Sequence, residues 1–146
     1  MPIVLNEKLL RTKSELITDT HINGPAITEL LLSELNNSDN GIGLSAIQIG
    51  IAKRAFCMSI PSEDPGHRYT YSFINPEIIE LANPVQFCEG CLSFPGQEII
   101  TLRYSAITII DAFNPNGIKL NGLAAICAQH ENDHLDGILM YDRQLK

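Results

Sequence analysis

Gln129-His130-Glu131-Asn132-Asp133-His134-Leu135-Asp136-Gly137 carries the pattern H-E-x-x-H near the end of the chain. Residues four apart on a helix lie one turn above each other on the same face. His130 and His134 therefore present two imidazoles to one point. Glu131 stands one step around the helix, able to reach a ligand of a bound ion without binding the ion itself. Two histidines on a metal, with a glutamate as general base on a water there, is the hydrolytic chemistry that this spacing serves. The flanks support a helix. No Gly or Pro occurs from Leu123 to Leu135. Leu123, Ala124, Ile126, Cys127, His130, His134 and Leu135 recur mostly at intervals of three and four. Gly122 precedes the segment, and Gly137 follows as a usual stop. A helix apolar around so much of its circumference is expected to be buried, and buried histidines need partners. The plainer alternative is two core histidines bonded to backbone.

Residues 1–20 are weakly patterned, with Leu9, Leu10, Leu16 and Ile17 as packing candidates. Asn23-Gly24-Pro25 reads as a turn. From Ala26 to Leu35 the apolar residues Ile27, Leu30, Leu31, Leu32 and Leu35 predict an amphipathic helix. Asn36 to Gly41 is a polar cluster that reads as a loop. Gly41-Ile42-Gly43-Leu44-Ser45-Ala46-Ile47-Gln48-Ile49-Gly50 has glycines that allow close backbone approach to a ligand; its plainer reading is a loop leading into a strand. It is not a dinucleotide fingerprint, because Ala46 stands where a third glycine is required. Strands are expected at Arg54–Ile60, Tyr69–Ile74, Ile78–Leu81, Pro84–Cys88, Ile99–Tyr104, Ala106–Phe113 and Ile118–Leu120. Pro61 to Gly66 reads as an exposed loop. His67 beside it, and His21 near the first turn, read as solvated. Asn114-Pro115-Asn116-Gly117 reads as a hairpin turn. The expected fold class is α+β: short antiparallel strands packed around a buried C-terminal metal-binding helix, with a second helix near the N-terminus.

The 146 residues fit one domain, spanning 1–146. A formal net charge of −7 argues against broad electrostatic binding to nucleic acid or anionic membrane. No stretch reaches the roughly 18 apolar residues of a membrane span, and the first residues lack signal-peptide architecture. A cytoplasmic location is expected, with Cys57, Cys88, Cys91 and Cys127 reduced.

An open catalytic metal site takes three protein ligands and keeps a fourth position for water. Candidates for the third are the four cysteines and several carboxylates. Cys127, three residues before His130, would crowd the ion. Cys88 and Cys91 form C-x-x-C and with the two histidines would make a closed structural site, in which Glu131 would have no task. A redox pair is a further reading of the same two cysteines.

Three stretches together resemble the peptide deformylase family. Its motifs G-x-G-L-A-A-x-Q, E-G-C-L-S and Q-H-E-x-D-H stand here as Gly41-Ile42-Gly43-Leu44-Ser45-Ala46-Ile47-Gln48, Glu89-Gly90-Cys91-Leu92-Ser93 and Gln129-His130-Glu131-Asn132-Asp133-His134. Ser45 replaces the usual alanine and Ile47 a common proline. The usual P-D-P-x-L-R signature is missing near the N-terminus, which puts the docking of that segment in question. The chain resembles a short form of the family, without the C-terminal extension of many bacterial members.

The resemblance implies a metal-dependent hydrolase that removes the formyl group from the formyl-methionine of new polypeptides and releases formate. It implies Cys91, His130 and His134 as ligands of one divalent ion, generally Fe(2+), with Zn(2+), Ni(2+) or Co(2+) substituting. Glu131 is implied as the proton shuttle, and the Gln48 amide and Leu92 backbone N–H as partners of the oxyanion. Ile42, Gly43, Phe87, Gly90, Ile126 and Cys127 are expected to border the peptide and its methionine side chain. The expected partners are nascent formyl-methionine peptides and the ribosome near its exit tunnel. Glu89 is expected to pair with Arg103 and fix the loop carrying Cys91. The rival readings are a conventional zinc peptidase, a non-enzymatic zinc module using Cys88 and Cys91 together, and an inactive relative.

Overall fold

The computed structural model describes residues 2–38 and 41–146; Asp39 and Asn40 of the expected polar loop lie outside the described residues. In chain order the elements are α1 (Glu7–Leu10), α2 (Thr20–Asn36), β1 (Gly43–Ser45), a 3-10 turn (Ala46–Ile49), β2 (Ala55–Pro61) and β3 (Arg68–Ile74). β4 (Glu77–Cys91), β5 (Phe94–Asp111), β6 (Asn114–Asn121), α3 (Gly122–Leu135) and a second 3-10 turn (Met140–Arg143) follow. The strands form two antiparallel three-stranded sheets, ordered β1-β2-β3 and β4-β5-β6. The α+β expectation holds, with α3 as the predicted buried helix.

α3 joins the two sheets through one apolar cluster. Phe56, Met58 and Phe73 come from the first sheet, Ile107, Ile109 and Leu120 from the second, and Ala125, Ala128 and Leu135 from α3. Burying a side chain of phenylalanine or leucine size contributes roughly 1.5–3 kcal/mol, so this cluster fixes the axis of the helix carrying His130 and His134. Gly137 ends α3 in the left-handed region at φ 73°. A Cβ there would also run into the Arg11 carbonyl, so glycine is required twice over. A second cluster seats Leu31 and Leu35 of α2 on Leu44, Ala46, Ile49, Ala55, Cys57 and Ile74.

Several boundaries differ from those expected. Asn23-Gly24-Pro25 is not a turn, because α2 begins at Thr20 and runs through it. Gly24 lies against the Ile74 side chain, where a Cβ would collide, so the missing side chain lets the helix approach β3. The expected pair Ile78–Leu81 and Pro84–Cys88 is one strand of 15 residues, and Ile99–Tyr104 with Ala106–Phe113 belongs to one strand of 18. Asn83 crosses the interruption at φ 61° while pairing continues on both sides. The β5–β6 turn lies at Ala112-Phe113, and Asn114-Pro115-Asn116-Gly117 is already in β6. Asp111 sets that position: its Oδ1 accepts from Phe113 N (3.1 Å) and Asn114 Nδ2 (2.8 Å), an Asx-type cap.

The N-terminal segment docks without the usual signature. Leu10 is fully buried. Val4 N donates to Gln48 O at 2.7 Å, and Ser14 N to Leu135 O at 2.9 Å. Arg11 pairs with Asp142 near the C-terminal end. His21 and His67 are exposed, as expected.

Candidate active site

α3 supplies His130, Glu131 and His134 from one buried face. β4 supplies Cys91 as its last residue, after a register shift between Glu89 and Cys91. The surplus residues of that shift lie in β5, between Phe94 and Ile99, while Glu89 and Cys91, two apart on β4, share the face toward α3. Cys91, His130 and His134 bring their ligand atoms within 4.8 Å of one another, and Cys91 Sγ lies 3.5 Å from His134 Nε2. Tetrahedral Zn–S and Zn–N bonds would separate sulfur and nitrogen by about 3.5 Å. The donor set and its spacing therefore fit a divalent ion.

The tautomer also fits. His130 Nδ1 lies 2.8 Å from Glu89 Oε1. An ionised carboxylate only accepts, so Nδ1 carries the proton and Nε2 keeps its lone pair for a ligand role. Burial alone would raise the Glu89 carboxyl. The hydrogen bonds and charges of Arg103 and His130 reverse this and hold it at about 2.

The expected Glu89–Arg103 pair is present and is part of a larger network. Arg103 Nε and Nη2 donate to Glu89 at 2.5 and 2.9 Å, while Nη1 donates to Asp133 at 2.6 Å. Arg143 clasps the same Asp133 carboxylate at 3.0 and 3.1 Å. Thr101 Oγ1 donates to Glu89 Oε2. β5 delivers Thr101 and Arg103 inward because alternate residues of a strand share a face, while Ile100 and Leu102 point outward. Gln129 ties α3 to β5: its Oε1 accepts from Tyr104 N and its Nε2 donates to Tyr104 O. Arg143 and Thr101 were not singled out from the sequence; Gln129 and Asp133 stood in the quoted Q-H-E-x-D-H stretch but were given no role there.

A cleft of about 510 Å³ opens over this centre. Its lining includes Ile42, Gly43, Phe87, Gly90, Ile126 and Cys127, with Gln48, Cys91, Leu92, His130 and Glu131. His134 lies beneath it, 1% exposed. Phe94, Pro95, Gly96 and Leu123 also line it and were missed; their nearness to Cys91 and Ile126 in sequence was the available clue. Glu131 is buried, and its Oε1 has no hydrogen-bond partner. Burial raises its carboxyl to about 7, helped by the Glu89 charge and opposed by His130 and Arg103. Gly43 is required here, because a Cβ would stand 2.6 Å from both Glu131 Oε2 and Cys127 Sγ.

Gln48, in the buried 3-10 turn, donates from Nε2 to Ser93 Oγ at 3.1 Å and to Cys91 Sγ at 3.5 Å. Cys88 is exposed, donates to Glu98 at 3.6 Å and stands outside the ligand cluster, so the closed four-ligand site is not what the fold builds. All four cysteines are free.

Known proteins agree with this geometry. The sequence profile of the family described as polypeptide deformylase matches residues 2–146. A peptide deformylase of Wolbachia pipientis wMel is 41% identical over 160 residues, covering 99% of this chain and 87% of that protein. One of Prochlorococcus marinus is 42% identical over 110 residues, 73% of this chain, and the match spans about half of that relative, 54%. The crystal structure of a probable peptide deformylase from synechococcus phage S-SSM7 has a TM-score of 0.85 at 34% identity, with 98% of each chain covered. The chain belongs to the polypeptide deformylase family.

Proposed function

We propose that this protein hydrolyses the N-formyl group of formyl-methionine on newly made polypeptides, releasing formate and a free amine. The observation that carries the reading is the convergence of Cys91, His130 and His134 beside the Glu131 carboxyl, whose Oε1 has no hydrogen-bond partner, at the floor of one cleft. Cys91, His130 and His134 would hold a divalent ion, which when bound supplies Lewis acidity to acidify a water and polarise the formyl oxygen. Fe(2+) is the expected ion, with Zn(2+), Ni(2+) or Co(2+) able to replace it.

The chain's own residues then divide the work. Glu131 takes a proton from the attacking water and delivers it to the amine nitrogen as the C–N bond breaks. The Gln48 amide, already turned toward Cys91, and the Leu92 backbone N–H face the developing oxyanion. Glu89 holds the His130 tautomer. Ile42, Gly43, Phe87, Gly90, Ile126 and Cys127 border the peptide and its methionine side chain. Residues 1–146 act as one catalytic domain. Among the described residues no helix is long and apolar enough to cross a membrane. A cytoplasmic site of action, near the exit tunnel of the ribosome, completes the proposal.

The test is formate release from formyl-Met-Ala-Ser by protein purified anaerobically. A blocked internal peptide serves as the competitor substrate. Cleavage of the internal peptide without formate release would favour a conventional peptidase.

A further inference from the structure

Ser45 stands where the resemblance places alanine, and its hydroxyl is fully buried. A buried hydroxyl is costly without a partner. Here Ser45 Oγ donates to Gln48 Oε1 at 3.1 Å. The Ser45 backbone N–H donates to the same oxygen at 3.0 Å. The backbone N–H can only donate, so the atom it meets is the amide oxygen, and the hydroxyl gives that oxygen a second donor. With the oxygen fixed, Nε2 can only face the other way, where it meets Cys91 Sγ and Ser93 Oγ.

We infer that Ser45 is a positioning residue that locks the Gln48 amide with its NH₂ turned toward Cys91 and the reacting carbonyl. The inference rests on the assignment of Gln48 to the oxyanion. A chain with alanine here would keep the backbone bond to Oε1 and lose the second donor. The amide would then be held at one point and could rock about it. Ser45 therefore acts on turnover through Gln48 and not through binding of the peptide or the ion.

One hydrogen bond of ordinary net strength, about 0.5–1.5 kcal/mol, corresponds to a factor of roughly 2–12 in rate. Ser45→Ala should lower kcat within that range, with KM for formyl-Met-Ala-Ser and metal content unchanged. Alanine is the family's common residue here, so the variant should fold. The decisive comparison is a double-mutant cycle. In a Gln48→Ala background, Ser45→Ala should cost nothing further in kcat.

A readout independent of turnover is the Gln48 side-chain NH₂ in ¹⁵N–¹H spectra of the metal-free protein. Two separate, sharp proton signals are expected for the native chain, and broadened or shifted ones for Ser45→Ala. Equal losses of kcat in both backgrounds, or an unchanged Gln48 NH₂ signal, would overturn the inference and leave the Gln48 assignment standing. Full turnover in Gln48→Ala would overturn both.

Discussion

Replacing Arg103 with leucine should cost the protein about 3 kcal/mol at neutral pH. Arg103 is 2% exposed and bridges two carboxylates, Glu89 and Asp133. Glu89 is held at about 2 from an ordinary 4.5, a depression of about two and a half units. At about 1.4 kcal/mol per unit, that depression is worth about 3 kcal/mol. Arg103 does more than His130 to lower it. Breaking a buried ion pair by removing one partner costs about 3–5 kcal/mol by general experience, which agrees. Asp133 keeps Arg143, so the damage should centre on Glu89. For a chain of this size the loss corresponds to roughly 6–12 °C in Tm.

The pH dependence has a definite sign. A carboxyl depressed in the folded state stabilises fully above its unfolded pKa, and that stabilisation fades as pH falls toward the folded value. The gap between native protein and Arg103→Leu should therefore be full at pH 7 and shrink from about pH 4.5 toward 2. Arg103→Lys keeps the charge but loses the two-pronged contact, and should fall between. Urea unfolding with chelator present excludes stabilisation by a bound ion. A gap below about 1 kcal/mol at pH 7, or one that does not shrink on acidification, would refute the reasoning.

Cys88→Ser should keep bound metal and most activity while Cys91→Ser loses both; metal analysis of the two purified proteins decides, and metal loss in Cys88→Ser would revive the closed site. Glu131→Gln should stay folded and metal-loaded while formate release falls by about 10²–10⁴-fold, the range for a general acid–base group; near-normal turnover would remove the proton shuttle. Because an apolar pocket separates side chains by about 1–3 kcal/mol per methylene-sized difference, formyl-norleucine peptides should be good substrates and formyl-glycine peptides poor ones. Equal kcat/KM for the two would remove the pocket assignment.

The helix at the centre was legible because its information is local. The spacing of His130 and His134, the run free of Gly and Pro, and the stop at Gly137 all lie within about four turns of one element. Strand limits were less legible because turn-forming residues were read by local preference alone. Asn83-Pro84 and Asn114-Pro115-Asn116-Gly117 look like punctuation, yet β4 pairs with β5 on both sides of the first, and β6 pairs with β5 at Asn114 and again from Ile118 around an irregularity in the second. Asn23-Gly24-Pro25 failed for a similar reason: packing on Ile74 outweighs the turn preference. Of the network behind His130, only the Glu89–Arg103 pair was expected. Arg103, Asp133 and Arg143 are joined across 30 and 10 positions of sequence, and no periodicity encodes such a meeting.

Charge balance explains why the site needs that hidden part. With Cys91 ionised as a ligand, four acidic groups meet around the helix: Cys91, Glu89, Glu131 and Asp133. Two guanidinium groups, Arg103 and Arg143, oppose them. Buried charge is tolerated only when paired, and with Glu131 in its ionised form two cations against four anions leave a deficit of two positive charges. A divalent ion held by Cys91, His130 and His134 would make up that deficit. The arginines are placed so that the ion does not have to serve Glu89 and Asp133 as well: they neutralise the carboxylates behind His130, while Cys91 and Glu131 face the cleft. The division follows from strand geometry. Arg103 is an inward residue of β5, two places after Thr101, and the sheet presents both to the back of the helix. The visible motif supplies ligands and a base. The long-range arginine bonds keep the remaining carboxylates from competing for the ion.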